Sequence, residues 1–131
     1  MIRLVIIPSP APRVLVAEDQ PLLRWAISRA LGPLGVDVVL AATYQDACDL
    51  LAAGEFAAVI LASPLEGRSV IELLRELARS RPKTSLLALC EGDHGQSVQQ
   101  DVPRAAVFQK PFTLSALTAV LTPVVGDRAL V

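Results

Sequence analysis

Residues Val14-Leu15-Val16-Ala17-Glu18-Asp19 place four apolar side chains in a row and then two carboxylates. A run this short, with no polar alternation, suits a strand buried on both faces, and the abrupt change to acid marks its end. Outward from it, similar runs occur at 36–41, 57–62, 85–90 and 105–108. The strand starts at 14, 37, 57, 85 and 105 are 20 to 28 residues apart, the size of strand–helix–strand units. The intervening stretches carry helical spacing. Leu23, Ala26, Ile27, Ala30 and Leu34 share one face, and Thr43 can cap a helix carrying Ala47, Leu50 and Leu51. Val70, Leu73, Leu74 and Leu77 form a third stripe, with Glu72, Arg75, Glu76 and Arg79 turned outward. Thr113 stands before Leu114, Leu117, Val120 and Leu121 as an N-cap. Strands alternating with helices, each strand apolar throughout, predict an α/β fold: a doubly wound five-stranded parallel sheet of order 2-1-3-4-5.

The composition bounds the function. Of 131 residues, 53% are hydrophobic and 19% charged, which excludes disorder as the dominant state. Twelve Lys and Arg against thirteen Asp and Glu leave no positive surplus for nucleic acid. No apolar stretch approaches the ~20 residues of a membrane span. The apolar start Met1–Ile7 has no cleavage signature after it. Cys48 and Cys90 fit reduced thiols better than a disulfide framework, so the expectation is a cytoplasmic domain without membrane contact. Pro8, Pro10 and Pro12 separate residues 1–12 from the rest of the chain. That extension reads equally as a sticky arm, an added edge strand or a poorly ordered leader.

In a doubly wound sheet, function gathers at the carboxyl ends of strands 1 and 3, where the strand order reverses. Glu18 and Asp19 sit at the first of these ends. Two adjacent acids repel each other, so they need a cation nearby or access to water. Strand 5 ends in Lys110-Pro111-Phe112-Thr113, and Lys110 can be that cation, with a Lys-Pro bond open to the cis form. On chemistry alone, a solvated acidic loop and a surface lysine is the simpler reading.

Order and spacing change that balance. Val-Leu-Val-Ala-Glu-Asp at 14–19, Val-Ile-Glu-Leu-Leu-Arg-Glu-Leu at 70–77 and Lys-Pro-Phe at 110–112 together resemble the receiver domain of two-component response regulators. The resemblance covers residues 13–122, leaving 123–131 as a C-terminal tail. It implies the flavodoxin-like receiver fold. Active members take a phosphoryl group on an Asp that ends strand 3, with Mg²⁺ held by that Asp and the acidic pair. By this resemblance Glu18 and Asp19 match the acidic pair and Lys110 the phosphate-contacting lysine.

The acceptor position falls on Ala62. No Asp occurs between residues 50 and 92, so no shift of register supplies one, and Glu66 lies on a loop past the strand end. The hydroxyl position on strand 4 is Cys90, and the relay aromatic on strand 5 is Val107. The spacing from Cys90 to Lys110 is short for the family, which implies a reduced fourth helix. Two acids facing a lysine leave little charge for Mg²⁺, so the expectation is no metal and no cofactor, with Glu18 and Asp19 the weak residual ligands.

Other residues read plainly. His94 is a solvated loop histidine, Cys48 a helix core residue and Trp25 a partly exposed ring on the first helix. Cys90 is an inert, half-buried thiol whose pKa the nearby acids raise. Arg75, Arg79, Arg81 and Lys83 form a solvated basic face. The resulting expectation is not an enzyme but a pseudo-receiver: a signalling module not phosphorylated on Asp, acting by protein–protein contact. Its partner would be a histidine kinase, an output domain or another regulator, with homodimerisation open. The family's habit places the contact around Gln99, Gln100, Arg104, Val107 and Leu117. With so few residues after the last helix, the chain reads as a stand-alone module or a piece of a larger protein. The alternatives are a conventional phosphorelay receiver with an unusual acceptor and a flavodoxin-like ligand-binding domain. The second needs a glycine- and hydroxyl-rich phosphate loop where Glu18-Asp19-Gln20-Pro21 stands.

Overall fold

A computed structural model describes residues 10–126. Five strands alternate with five helices: β1 (Arg13–Ala17), α1 (Pro21–Leu31), β2 (Asp37–Ala41), α2 (Tyr44–Ala53), β3 (Ala58–Ser63), α3 (Ile71–Ser80), β4 (Ser85–Cys90), α4 (His94–Asp101), β5 (Ala106–Gln109) and α5 (Leu114–Gly126). The sheet order is β2-β1-β3-β4-β5 and every pairing is parallel, as the apolar runs predict. The register sets Ala17 beside Ala41 and Leu61, and Ser63 beside Cys90. The ends that carry Glu18, Ala62, Cys90 and Lys110 therefore meet at one rim.

Burial explains why the runs lack polar alternation. All six residues of β3 are buried, because helices cover both faces of the sheet. Val14, Val16, Ala58, Ile60, Leu87 and Leu89 face Ile27 and Leu31 of α1 and Leu117 and Leu121 of α5. Leu15, Val59, Leu61, Leu86 and Ala88 face α2, α3 and α4 through Leu51, Leu74 and Val98. Each large aliphatic side chain so buried contributes about 1.5–3 kcal/mol.

Helix ends are closed locally. Thr43 accepts from the Asp46 N–H at 3.0 Å and Thr113 from the Ala116 N–H at 3.2 Å, so both caps lie where the sequence puts them. Arg81 donates to the carbonyls of Gly54 and Leu51 at the end of α2. It is thus a cap and not part of a solvated basic face. Arg75 and Arg79 are paired with Glu72, Asp101 and Glu76.

Helix α5 continues through Pro123 to Gly126, past the boundary at 122 read from the sequence. Pro12 belongs to the domain, its carbonyl accepting from the Asp37 N–H at 2.8 Å. Residues 1–9 of the N-terminal extension and 127–131 of the tail lie outside the described residues. Among the described residues no helix is long and apolar enough to cross a membrane.

Candidate functional site

The rim is assembled by strand ends. Glu18 leaves β1 with its N–H on the Ala41 carbonyl at 3.1 Å, and Glu91 leaves β4 with its N–H on the Ser63 carbonyl at 3.0 Å. The Lys110 N–H reaches the Cys90 carbonyl at 2.8 Å. These backbone bonds extend the parallel ladders by one residue and bring Lys110 to Glu18. The Lys110-Pro111 bond is cis, as is Ser63-Pro64.

The two acids are used differently. Glu18 is fully buried, and its Oε1 accepts from Lys110 Nζ at 2.8 Å. Its Oε2 has no hydrogen-bond partner among the described residues. Burial pushes the Glu18 carboxyl above the usual carboxylate range, while the hydrogen bond and charge of Lys110 pull it back. Asp19 is exposed and turns away from Lys110, its Oδ2 accepting the Glu66 N–H at 2.9 Å. Glu66, in the left-handed region at φ 52°, accepts the Tyr44 N–H at 2.6 Å. The β3–α3 loop is therefore tied to both β1 and α2, and Glu66 caps a helix and supplies no oxygen at the strand end.

Ala62 is fully buried near the end of β3 and belongs to the core cluster with α2 and α3, so the position matched to the family's acceptor carries a methyl group in place of an oxygen. Cys90 is also fully buried, which pushes its thiol up to about 11, with Lys110 opposing the shift. The direction is the expected one, but the cause is burial and not the neighbouring acids.

Three participants escaped the sequence reading. Glu91 approaches Lys110 Nζ at 3.5 Å, so the lysine stands between two carboxylates. Ser63, buried at the end of β3, lies 3.0 Å from His94 Nδ1 and accepts the Val70 N–H at 3.4 Å. His94 is thus not a solvated loop residue: it opens α4 and ties that helix to β3 and α3. Glu91 was legible as the residue after a strand end. Asp93 is a residue type that starts helices, but its side chain makes no cap bond here and Gly95 in the first turn weakens the pattern.

The expected contact residues do not form one surface. Gln99 and Gln100 are exposed on α4. Val107 is half-buried where Gly95 lets α4 approach, and a Cβ on Gly95 would meet Val107 at 3.2 Å. Leu117 is fully buried between α5 and the sheet, because it lies on the helix's inner stripe. The Arg104 guanidinium is held by the carbonyls of Thr84 at 2.7 Å and Arg81 at 3.1 Å, at the end of the sheet opposite the rim. Leu117 is accordingly a core residue, while Arg104 is exposed and lies apart from Gln99 and Gln100.

No family model matches the chain. It is 33% identical over 133 aligned positions to Ethylene receptor 4 of Oryza sativa subsp. indica, and 31% identical to the japonica protein of that name. These alignments cover 88% of this chain but 17% of each receptor, so the chain spans about a sixth of the length of these curated relatives. Among solved structures, it is similar to the signal receiver domain of an HD domain-containing protein from Pseudomonas fluorescens. There the TM-score is 0.78 at 22% identity, covering 95% of this chain and 94% of that one. A response regulator receiver protein from Sinorhizobium medicae gives a TM-score of 0.78 at 18% identity, covering 90% and 97%. A CheY-like receiver domain protein from Methanospirillum hungatei gives 0.77 at 17%, covering 91% and 97%. At these identities the likeness speaks for architecture, and the architecture is plain: this chain has the fold of response-regulator receiver domains.

Proposed function

We propose that the chain is a signalling module of two-component type that is not phosphorylated on aspartate and acts by protein–protein contact in one fixed conformation. The observation that carries this reading is the state of the rim. Ala62 offers no nucleophilic oxygen, and Lys110 is already held by Glu18 at 2.8 Å. A phosphoryl group would need that lysine free and an acceptor oxygen beside it.

The donor set also fits Mg²⁺ poorly. Mg²⁺ asks for near-octahedral oxygen ligation from one or two carboxylates, water and phosphate. Here one Glu18 oxygen is engaged by an ammonium, and Asp19 holds a backbone N–H. Among the described residues no group of three His, Cys, Asp or Glu is placed to hold a metal ion. Our reading of the module as a contact domain, without catalysis and without Mg²⁺, is supported by this donor set. Its partners belong to the signalling class, a kinase, an output domain or another regulator, and cytoplasmic placement accords with the free thiols of Cys48 and Cys90.

The test is incubation with acetyl phosphate and Mg²⁺ followed by intact-mass measurement. The expected spectrum is unchanged. A gain of one hydroxylamine-sensitive phosphoryl group overturns the reading in favour of a working receiver with an unusual acceptor.

A further inference from the structure

The sheet has two edges, β2 and β5, and they are protected unequally. β5 lies between Pro103 and Pro111 and is approached by α4, where a Cβ on Gly95 would meet Gln109 Oε1 at 2.8 Å and Val107 Cγ1 at 3.2 Å. β2 reads Asp37-Val38-Val39-Leu40-Ala41, holds no lysine or proline, and pairs with β1 without a bulge. Those are the features that commonly blunt an edge. Its middle is apolar instead, with Val38 and Val39 half-buried and Leu40 44% exposed. An exposed apolar edge is a template for another strand.

Backbone parity decides which groups are open. The Asp37 N–H donates to the Pro12 carbonyl at 2.8 Å, and the Ala41 carbonyl accepts the Glu18 N–H at 3.1 Å. Asp37, Val39 and Ala41 therefore turn their peptide groups toward β1, and Val38 and Leu40 turn theirs away. Among the described residues nothing bonds to the outward N–H and carbonyl groups of Val38 and Leu40. Side chains alternate in the same rhythm. Val38 packs with the cluster of Ile27 and Leu31 on the α1 face, and Val39 with the cluster on the α2 face.

This edge fits a second copy of itself. About a two-fold axis through Val39, two β2 strands run antiparallel, with Val38 of each opposite Leu40 of the other. Such opposed residues exchange both of their N–H···O bonds, so every open N–H and carbonyl on either copy finds a partner. Val38 and Leu40 then meet as apolar cross-strand pairs, and the two Val39 residues stand at the narrow spacing of ~4.5 Å. Asp37, the one charge in the strand, falls opposite Ala41. The two Asp37 residues are thereby about 14 Å apart, four residue rises, beyond the Debye length at physiological salt. Each keeps its own Arg13, with Nε 3.9 Å from Oδ2. We infer that β2 is the interface of a homodimer in which the two sheets join edge to edge as one continuous sheet. The contact is isologous and small, so the dimer is weak and concentration-dependent. It uses no residue of the rim and stands apart from the phosphorylation reading.

The full chain is followed by sedimentation and amide exchange from about 10 µM to about 1 mM. Dimer should accumulate with concentration. The Val38 and Leu40 amides should exchange about tenfold more slowly at the top of the range than at the bottom, while the Val39 amide, bonded to β1, should not change. Leu40→Lys places a charge on an exposed edge position and should weaken association about tenfold or more. Val38→Pro removes an outward donor, leaves the β1 ladder intact and should act in the same direction. Val39→Cys should cross-link on oxidation well beyond the parent chain, because the narrow pair lies within disulfide reach. A monomer throughout the range, or a dimer indifferent to both Leu40→Lys and Val38→Pro, overturns the inference. So does a monomer whose Val38 and Leu40 amides are protected at every concentration, which would give the edge to residues 1–9 of the same chain.

Discussion

Lys110 Nζ lies 2.8 Å from Glu18 Oε1, across 92 residues of sequence, and not on the neighbouring Asp19. That choice joins the end of β5 to the end of β1 around a fully buried carboxylate. It occupies the lysine that the resemblance matches to the family's phosphate contact.

Removing the lysine leaves a buried carboxylate without its cation. Breaking a buried pair costs roughly 3–5 kcal/mol. Protonation of Glu18 relieves part of this, so Lys110→Met should lose about 2 kcal/mol in urea unfolding. Combining it with Glu18→Gln should restore much of the loss, and simple additivity in that double-mutant cycle would refute the coupling.

The pH dependence has a definite sign. Burial raises the folded-state pKa of Glu18 above its ordinary 4.5, so the native state holds a proton that the unfolded chain has released. Glu18 then makes stability fall as pH rises from that ordinary value through the folded pKa. Cys90 repeats the pattern between about 9 and about 11, where the unfolded thiol ionises and the buried one does not. Unfolding midpoints against pH should flatten in the acid window for Glu18→Gln and in the alkaline window for Cys90→Ala. Unchanged slopes would contradict both assignments.

His94 should matter to α4 more than a surface histidine does. His94→Ala removes the partner of the Ser63 hydroxyl and should cost about 1 kcal/mol, with faster amide exchange confined to α4. Exchange no faster than in the parent protein would leave the Ser63–His94 contact without a structural role.

Leu117 and the α4 glutamines separate core from surface. Leu117→Ala should cost about 2–5 kcal/mol by opening a cavity under α5, whereas Gln99→Ala and Gln100→Ala should each stay within about 0.5 kcal/mol. Thermal or urea denaturation of the three variants decides the point.

Ala62→Asp should rebuild a third carboxylate and give weak, saturable Mg²⁺ binding, followed by Trp25 fluorescence or by amide shifts around the rim. Cys90 and Val107 still stand where the resemblance implies a hydroxyl and an aromatic ring, so the variant should not gain a conformational switch. Tight Mg²⁺ binding by the unmodified protein would show that Glu18 and Asp19 are free to ligate after all.

Much of this protein is written locally. Val14–Ala17 and Ala58–Ala62 are apolar without interruption because both faces of their strands are covered, and that requirement shows in any window of five residues. The regular strand spacing then leaves few topologies, and the alanine at position 62 is a matter of composition that no folding can change. Thr43 and Thr113 announce helix starts because a cap bonds within its own turn.

What tertiary structure decided are the partnerships between distant groups. Successive side chains at a strand end point to opposite sides, so only the packed sheet determined that Glu18 turns in to Lys110 and Asp19 turns out to Glu66. The same holds for Ser63 with His94 and for Arg104 with the Thr84 carbonyl, pairs 31 and 20 residues apart. Periodicity states which residues are buried, because burial repeats with the backbone. A hydrogen bond between two side chains depends on where two separate segments come to rest, and that is fixed only when the helices close over both faces of the sheet.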